Sequence, residues 1–146
     1  MGWAICFIAM RGSGYFFCNI EYLFNQCMHG DGCGGSYKLK KGVPPPSSDI
    51  DQLLNCTANC ANENLRVTST SDSHDPSNPH TRGLAVDVTT ENPTTVMQCA
   101  ANCGAVYQLN EYSAPSLNAT GGHLHFQLIP GRGGKTGPYY PKEVTP

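Results

Sequence analysis

The sequence has little charge. Asp, Glu, Lys and Arg together make up 14% of its 146 residues, and its formal net charge at pH 7 is −2. A surface that binds nucleic acid needs an excess of Lys and Arg, because these side chains neutralise the phosphates. The composition therefore predicts that nucleic acid is not a partner.

The sequence also lacks a hydrophobic run long enough to cross a membrane. Residues 1–10 (MGWAICFIAM) are apolar, whereas a membrane-spanning helix needs about 20 such residues. The stretch has no basic residue before its apolar run and no clear small-residue cleavage site, so it is a poor match to a signal peptide. We expect no membrane span, and both a packed strand and an unstructured leader stay open for this stretch.

The length predicts one domain with one active site, because 146 residues are too few for two domains of ordinary size. Residues 1–35 contain four cysteines and a glycine-rich patch without helical or strand periodicity, so the fold of this N-terminal segment stays open. Residues 36–48 are basic and then proline-rich, which is typical of a linker. The compact domain is therefore expected at 49–146, as a monomer.

Hydrophobic spacing in the compact domain indicates two helices among several strands. Ser48 or Asp49 can cap the first helix, and Thr90 or Asn92 can cap the second, in which Pro93 fits the first turn. The order of elements predicts an α+β fold with helices on one side of a small, mainly antiparallel sheet. The predicted helices are 51–62 and 93–105, the predicted strands are 65–69, 83–88, 106–109 and 123–129, and the predicted loops are 72–81 and 131–146.

Four of the eight cysteines occur in a repeated pattern, Cys-x-Ala-Asn-Cys. On a helix the two cysteines of each pair lie one turn apart, with Cβ atoms about 5 to 6 Å from each other, too far for a disulfide within the pair. If the two helices pack side by side, two disulfides can join Cys56 and Cys60 to Cys99 and Cys103. A closed four-cysteine zinc site and reduced, buried thiols stay open as alternatives. The cysteine content also favours an oxidising compartment.

Three histidines and one aspartate occur where a metal site can form. His80 precedes a predicted strand, and His123 and His125 lie two residues apart on another, so their side chains share one face of the sheet. Asp87 lies within an apolar strand, where an unpaired carboxylate is costly and a nearby cation would explain it. Two imidazoles and one carboxylate leave an open position on a tetrahedral zinc ion, as a catalytic site requires.

Two segments resemble motifs of the D-alanyl-D-alanine metallopeptidases. Residues 80–87 (HTRGLAVD) resemble the family motif H-x-x-G-x-A-x-D, and residues 121–128 (GGHLHFQL) resemble the closing histidine strand of these enzymes. The family is similar to lysostaphin-type peptidases and to the hedgehog signalling domain, with which it shares a small sheet that carries a zinc ion. The resemblance implies one catalytic Zn²⁺ on His80, Asp87 and His125, and peptidoglycan peptides as the substrate.

The chain departs from this family at the general base and at the group that holds the substrate. The family usually has a glutamate three residues before the last ligand, and here that position is Gly122. His123 is the first substitute, because lysostaphin-like relatives use a histidine there near the reacting water, and Glu111 is the second. In the family, an arginine that follows a Thr-Ser pair holds the substrate, but no arginine follows Ser69 here. Arg82 and Ser69 are therefore the predicted substrate contacts.

These features predict a zinc metallopeptidase that hydrolyses peptide bonds of peptidoglycan, as a D-alanyl-D-alanine carboxypeptidase or an endolysin does. The alternative is a catalytically inactive zinc-containing domain for cell-wall binding or signalling, which the missing glutamate favours. A disulfide-rich secreted module with incidental histidines is a third reading. We expect the protein to act in an extracellular or periplasmic location, or as a phage-encoded enzyme on the cell wall.

Overall fold

The computed structural model describes residues 34–73, 75–112 and 121–139. They form an α+β fold, as predicted, in which a helix begins at Pro93, also as predicted. The four cysteines of the N-terminal segment, and both His29 and His74, lie outside the described residues. The elements in chain order are β1 (Tyr37–Leu39), α1 (Ser48–Ala61), β2 (Leu65–Ser69), β3 (Ala85–Thr89), α2 (Pro93–Asn102), β4 (Tyr107–Asn110), β5 (Leu124–Gln127) and β6 (Gly137–Tyr139).

The strands form one mixed sheet in the order β1-β2-β3-β5-β4-β6. The central pairings, β2 with β3, β3 with β5 and β5 with β4, are antiparallel, whereas β1 and β6 are parallel to their neighbours at the two edges. Three of the five pairings are antiparallel, so the sheet is mixed but mainly antiparallel, and the sequence did not predict its two edge strands. Each edge strand is only three residues long, too short to show a strand period, and lies within a range predicted as a linker or a loop.

Both helices pack against one face of the sheet. Val86 in β3 and Phe126 in β5 are fully buried in a core that also contains Leu54 of α1 and Val96 of α2. Successive side chains of a strand point to opposite faces, so the polar residues that alternate with this core lie on the other face of the sheet. The sequence therefore places a hydrophobic core on one face and the histidines of β5 on the other.

Ser47 fixes the start of α1 and the chain that enters β3. Its hydroxyl accepts a hydrogen bond from the backbone N–H of Ile50 at 3.3 Å and donates one to the carbonyl of Gly83 at 2.7 Å. The helix therefore begins at Ser48, and the predicted caps, Ser48 and Asp49, are wrong because Ser47 takes that place. Gly83 has a φ of 68°, which favours glycine, and it turns the chain into β3.

Two disulfides join the helices to each other. Cys56 of α1 bonds to Cys103 at the end of α2, and Cys60 bonds to Cys99. The prediction of cross-helix disulfides is confirmed, and the alternatives of a four-cysteine zinc site and of reduced thiols are wrong for these residues. Disulfides are compatible with an extracellular location. Among the described residues, no helix has the length and apolar character needed to span a membrane.

Candidate metal centre

The candidate metal centre lies on the polar face of the sheet. Asp87 in β3 and His125 in β5 are direct partners in the antiparallel ladder, so their side chains emerge side by side on the same face. His80 reaches them from the turn that precedes β3, and its backbone is held by a hydrogen bond from its own N–H to the Asn78 side chain at 2.9 Å. Residues that are far apart in the chain therefore meet because β3 pairs with β5.

Three ligand atoms converge at this point. His80 Nε2 lies 3.3 Å from Asp87 Oδ1 and 3.2 Å from His125 Nδ1, and the latter two atoms are 2.8 Å apart. Ligand atoms bound to a tetrahedral zinc ion at about 2.0 to 2.1 Å lie about 3.3 Å from one another. The group could therefore hold a metal ion with little movement, and no other such group of His, Cys, Asp and Glu occurs in the described part of the chain.

A backbone carbonyl fixes the orientation of the His80 ring on the side away from Asp87 and His125. Its Nδ1 lies 2.6 Å from the backbone carbonyl of Thr70, which can only accept a hydrogen bond. Nδ1 therefore carries the proton, and the lone pair of Nε2 points toward Asp87 and His125. A histidine that donates its second N–H to a backbone carbonyl is the usual arrangement around a protein-bound metal.

Asp87 makes the centre electronegative. Burial alone would raise the pKa of its carboxyl group, but hydrogen bonds from His125 and His80 and the attraction of both rings hold that pKa well below its usual range. Burial lowers the pKa of His80, but its hydrogen bond and charge attraction with Asp87 outweigh burial and raise the pKa above 6.5. The ionised carboxylate therefore attracts either a proton on His80 or a cation between the three ligands.

We expect zinc to stabilise the protein more strongly as the pH rises. Without metal, the raised pKa of His80 means that the contribution of the protonated ring to stability is present below 6.5 and is lost as the pH rises through the folded-state pKa. Zinc needs the neutral ring, so its binding improves over the same range. The difference in Tm with and without zinc should be small at about pH 5.5 and large at about pH 8. A difference that shrinks with rising pH would contradict His80 as a ligand.

His123 and Glu111 form a pair beside the three ligands. His123 Nε2 lies 3.1 Å from Glu111 Oε2 and 3.7 Å from Asp87 Oδ2. Its Nδ1 is 2.9 Å from the carbonyl of Gly121, which fixes the ring, and the N–H of Glu111 donates to the carbonyl of His123 at 2.9 Å. The two residues predicted as alternative bases therefore touch each other, with the Glu111 side chain buried.

The ring of Tyr112 lies against Gly122. A Cβ atom added to Gly122 would lie 2.6 Å from Cδ1 of the Tyr112 ring, so a side chain there would require the ring to move. The ring is anchored at its other end, since its hydroxyl accepts from the N–H of Thr90 at 2.9 Å and lies 3.1 Å from the carbonyl of the same residue. The space beside Gly122 is therefore occupied by an aromatic ring, and the nearest described carboxylate on this segment is that of Glu111, the residue before Tyr112.

The two predicted substrate contacts differ in position. The hydroxyl of Ser69 lies 3.4 Å from His80 Nδ1 and donates to Asp72 at 2.6 Å, which places it at the rim of the centre. Arg82 is exposed in the turn between His80 and β3. Both remain predictions as substrate contacts.

Sequence reasoning missed three groups that surround the ligands. The Thr70 carbonyl orients His80, the Gln127 amide nitrogen lies 2.7 Å from His125 Nε2, and the Tyr107 ring makes an edge contact with that histidine at 6.4 Å between centroids. Of the three, only the position of Gln127 could have been predicted from the sequence, because it follows His125 by two residues on a strand and therefore shares its face. The other two groups reach the centre only through tertiary packing.

Comparison of the chain with protein-family models, with curated proteins and with solved structures found no match. The function is therefore inferred from the geometry of the centre and from the two sequence motifs.

Proposed function

We propose that this protein is a zinc metallopeptidase that hydrolyses peptide bonds of peptidoglycan, similar to the D-alanyl-D-alanine carboxypeptidases or to endolysins of the hedgehog and D-alanyl-D-alanine peptidase fold. The observation that carries the proposal is the placement of a histidine-carboxylate pair, 3.1 Å across, directly beside three candidate ligand atoms that lie 2.8 to 3.3 Å from one another. A structural zinc site has four protein ligands and needs no such pair, whereas a catalytic site needs both an open position and a group that transfers protons.

The three ligands suit zinc. Two imidazole nitrogens and one carboxylate oxygen are a common donor set for catalytic zinc, and one tetrahedral position stays open for water or substrate. When bound, a zinc ion supplies an activated water and polarises the carbonyl group of the substrate. The protein contributes the fixed ring of His80, the charge of Asp87 and the alignment of His125 on the neighbouring strand.

The pair of His123 and Glu111 is proposed to move the proton. Nε2 of His123 faces the Glu111 carboxylate, while the hydrogen bond to Gly121 holds Nδ1 on the far side of the ring. The pair can accept a proton from the attacking water, share it between Nε2 and Oε2, and then donate it to the leaving amine. His123, 3.7 Å from Asp87, is also close enough to stabilise the oxyanion that forms on the substrate.

The substrate class follows from the motif resemblance. Peptidoglycan peptides end in carboxylates, so a cationic group near the centre would bind them. Arg82 on the turn after His80 is proposed for this role, together with the Ser69 hydroxyl, which lies 3.4 Å from His80 Nδ1. A protein that cleaves the cell wall acts outside the cytoplasm, which the two disulfides also favour.

The test is release of amino groups from purified peptidoglycan before and after removal of the metal. We expect chelation to abolish release and added zinc to restore it. Glu111→Gln should lower the rate by about 10² to 10⁴-fold, because it removes the proton acceptor, while zinc stays bound. Glu91→Gln is the matched control, since Glu91 is exposed at the start of α2 and the same chemical change there should leave the rate unaltered.

Each other outcome would contradict the proposal in a different way. A parent protein that binds zinc and wall fragments without releasing amino groups would favour the inactive binding domain. Hydrolysis that persists in excess chelator would show that the activity does not depend on a metal at this centre.

A further inference from the structure

The side chain of Tyr112 joins the ends of three strands. Tyr112 lies two residues beyond the end of β4, and its ring lies against Gly122, two residues before the start of β5. Its hydroxyl accepts a hydrogen bond from the N–H of Thr90 at 2.9 Å and donates one to the carbonyl of the same residue at 3.1 Å. Because Thr90 directly follows β3, one side chain ties the end of β4 to the ends of β3 and β5.

The same three strands carry the groups of the proposed active site. Asp87 is in β3, His123 directly precedes β5, and Glu111 directly follows β4. The N–H of Glu111 donates to the carbonyl of His123 at 2.9 Å, so the hydrogen bonding between β4 and β5 continues to this pair. Tyr112 follows Glu111 in the chain and Gly122 precedes His123, so their contact lies one residue beyond the pair on both strands.

The direction of the Glu111 side chain depends on the direction of the Tyr112 side chain. Successive side chains of an extended chain point to opposite sides. Since the Tyr112 ring is held by Gly122 and Thr90, the buried side chain of Glu111 is turned the other way, and its Oε2 lies 3.1 Å from His123 Nε2. A shift of the ring would therefore change the distance between the carboxylate and the imidazole.

A carboxylate from the loop after α1 holds the anchor of the ring in place. The hydroxyl of Thr90 donates to Glu63 Oε1, and the N–H of Glu91 donates to the same oxygen at 3.0 Å. These bonds fix the backbone to which the Tyr112 hydroxyl is bonded as both a donor and an acceptor. Because Tyr112 is 39% exposed, core packing constrains its ring little, and the two hydrogen bonds decide where the ring lies.

We propose that Tyr112 is a positioning residue for the pair of His123 and Glu111. Its hydrogen bonds to Thr90 and its contact with Gly122 hold the carboxylate at the distance that proton transfer needs. The proposal rests on the proposed function, because that function assigns proton transfer to the pair. It adds that an exposed aromatic ring outside the metal centre sets the rate through the pair and not through the metal.

The first test is Tyr112→Phe, which keeps the ring and removes both hydrogen bonds to Thr90. A misplacement of about 1 Å in an active site can lower a rate by about 10²-fold. We therefore expect kcat for release of amino groups from peptidoglycan to fall by about 10 to 100-fold, with KM and zinc content within about twofold of the parent. An unchanged kcat, or a loss of zinc that parallels the loss of kcat, would overturn the proposal.

Tyr37→Phe is the matched control for this substitution. The hydroxyl of Tyr37 in β1 donates to the Asp51 carboxylate on α1, so this variant also loses a hydrogen bond from a tyrosine hydroxyl, but at an edge of the sheet. It should be destabilised and should keep the kcat of the parent at a temperature at which both proteins are folded. A fall in kcat equal to that of Tyr112→Phe would show that general destabilisation lowers the rate, contrary to a positioning role.

A double-mutant cycle tests whether Tyr112 acts through Glu111. In a protein that already carries Glu111→Gln, the pair no longer transfers the proton, so Tyr112→Phe should lower kcat further by no more than about twofold. A merely structural role would give the same loss in both backgrounds. Equal losses with and without Glu111→Gln would therefore contradict the proposal.

Gly122→Ala displaces the ring without a change to Tyr112. The φ of Gly122 is not positive, so the backbone accepts alanine, but the added Cβ would lie 2.6 Å from Cδ1 of the ring. We expect kcat to fall as in Tyr112→Phe, with zinc content unaltered. A Gly122→Ala protein with the kcat of the parent would count against the ring as the positioning group.

The outcomes separate this proposal from the proposed function. If the parent releases amino groups and Glu111→Gln is impaired while Tyr112→Phe is not, the positioning role is wrong and the proposed function stands. If the zinc-loaded parent releases no amino groups from peptidoglycan, both are wrong.

Discussion

His125→Ala is expected to abolish both zinc binding and hydrolysis. The substitution removes one of three ligands and leaves Asp87 without the hydrogen bond that it accepts at 2.8 Å. Loss of a residue that hydrogen-bonds to a metal ligand typically lowers metal affinity by about 10 to 100-fold. Loss of a ligand itself should lower zinc affinity further, by more than about 100-fold. Release of amino groups from peptidoglycan should fall by about three orders of magnitude or more, since the metal supplies several kcal/mol of transition-state stabilisation.

His123→Ala is the matched control for this experiment. It removes a histidine two residues away on the same face of the sheet, but one whose nearest side-chain partner is Glu111. This variant should keep its zinc and lose most of its hydrolysis. Full zinc occupancy in His125→Ala, or loss of zinc in His123→Ala alone, would contradict the assignment of ligands.

Removal of both disulfides is expected to destabilise the protein severely. Cys56–Cys103 closes a separation of 47 residues in the chain, and Cys60–Cys99 lies inside that loop. While one disulfide is intact, the other closes a ring of only about eight residues. Removal of either disulfide alone should therefore lower the free energy of unfolding by about 2 to 3 kcal/mol. Loss of both should cost about 6 kcal/mol, which approaches the whole stability of an ordinary domain.

Urea denaturation of alanine variants measures this effect. The pair Cys56→Ala with Cys103→Ala, and the pair Cys60→Ala with Cys99→Ala, should each remain folded, whereas the variant with all four changes should be largely unfolded. The sum of the two single-bond losses should be smaller than the loss in the fourfold variant. Additive losses would show that the two bonds constrain the unfolded chain independently, contrary to their nested arrangement.

The three candidate metal ligands could be predicted from the sequence because each depends on short-range spacing. His80 and Asp87 occur within one motif, and His125 follows His123 at the strand period, so strand geometry alone puts the pair on one face. The cross-helix disulfides could be predicted for the same reason, since helical spacing excludes bonds within each cysteine pair. Which cysteine of one helix bonds to which of the other depends on the relative orientation of the helices and required the structure.

The remaining features depend on contacts between distant parts of the chain. The strands β1 and β6 exist because a neighbouring strand offers them hydrogen-bond partners, and three residues carry too little pattern to show this. The contact of Glu111 with His123 depends on the pairing of β4 with β5, which brings together the two residues predicted as alternative bases. The ring of Tyr112 over Gly122 likewise depends on tertiary packing.

X-ray absorption at the zinc edge of the purified protein tests the central claim most directly. We expect one zinc ion with only nitrogen and oxygen neighbours at about 2.0 to 2.1 Å, including the outer-shell pattern of two imidazole rings, and no sulfur at about 2.3 Å. That coordination is the one expected for an ion held by His80, Asp87 and His125. A zinc ion with sulfur neighbours, or a protein that retains no zinc, would contradict the account.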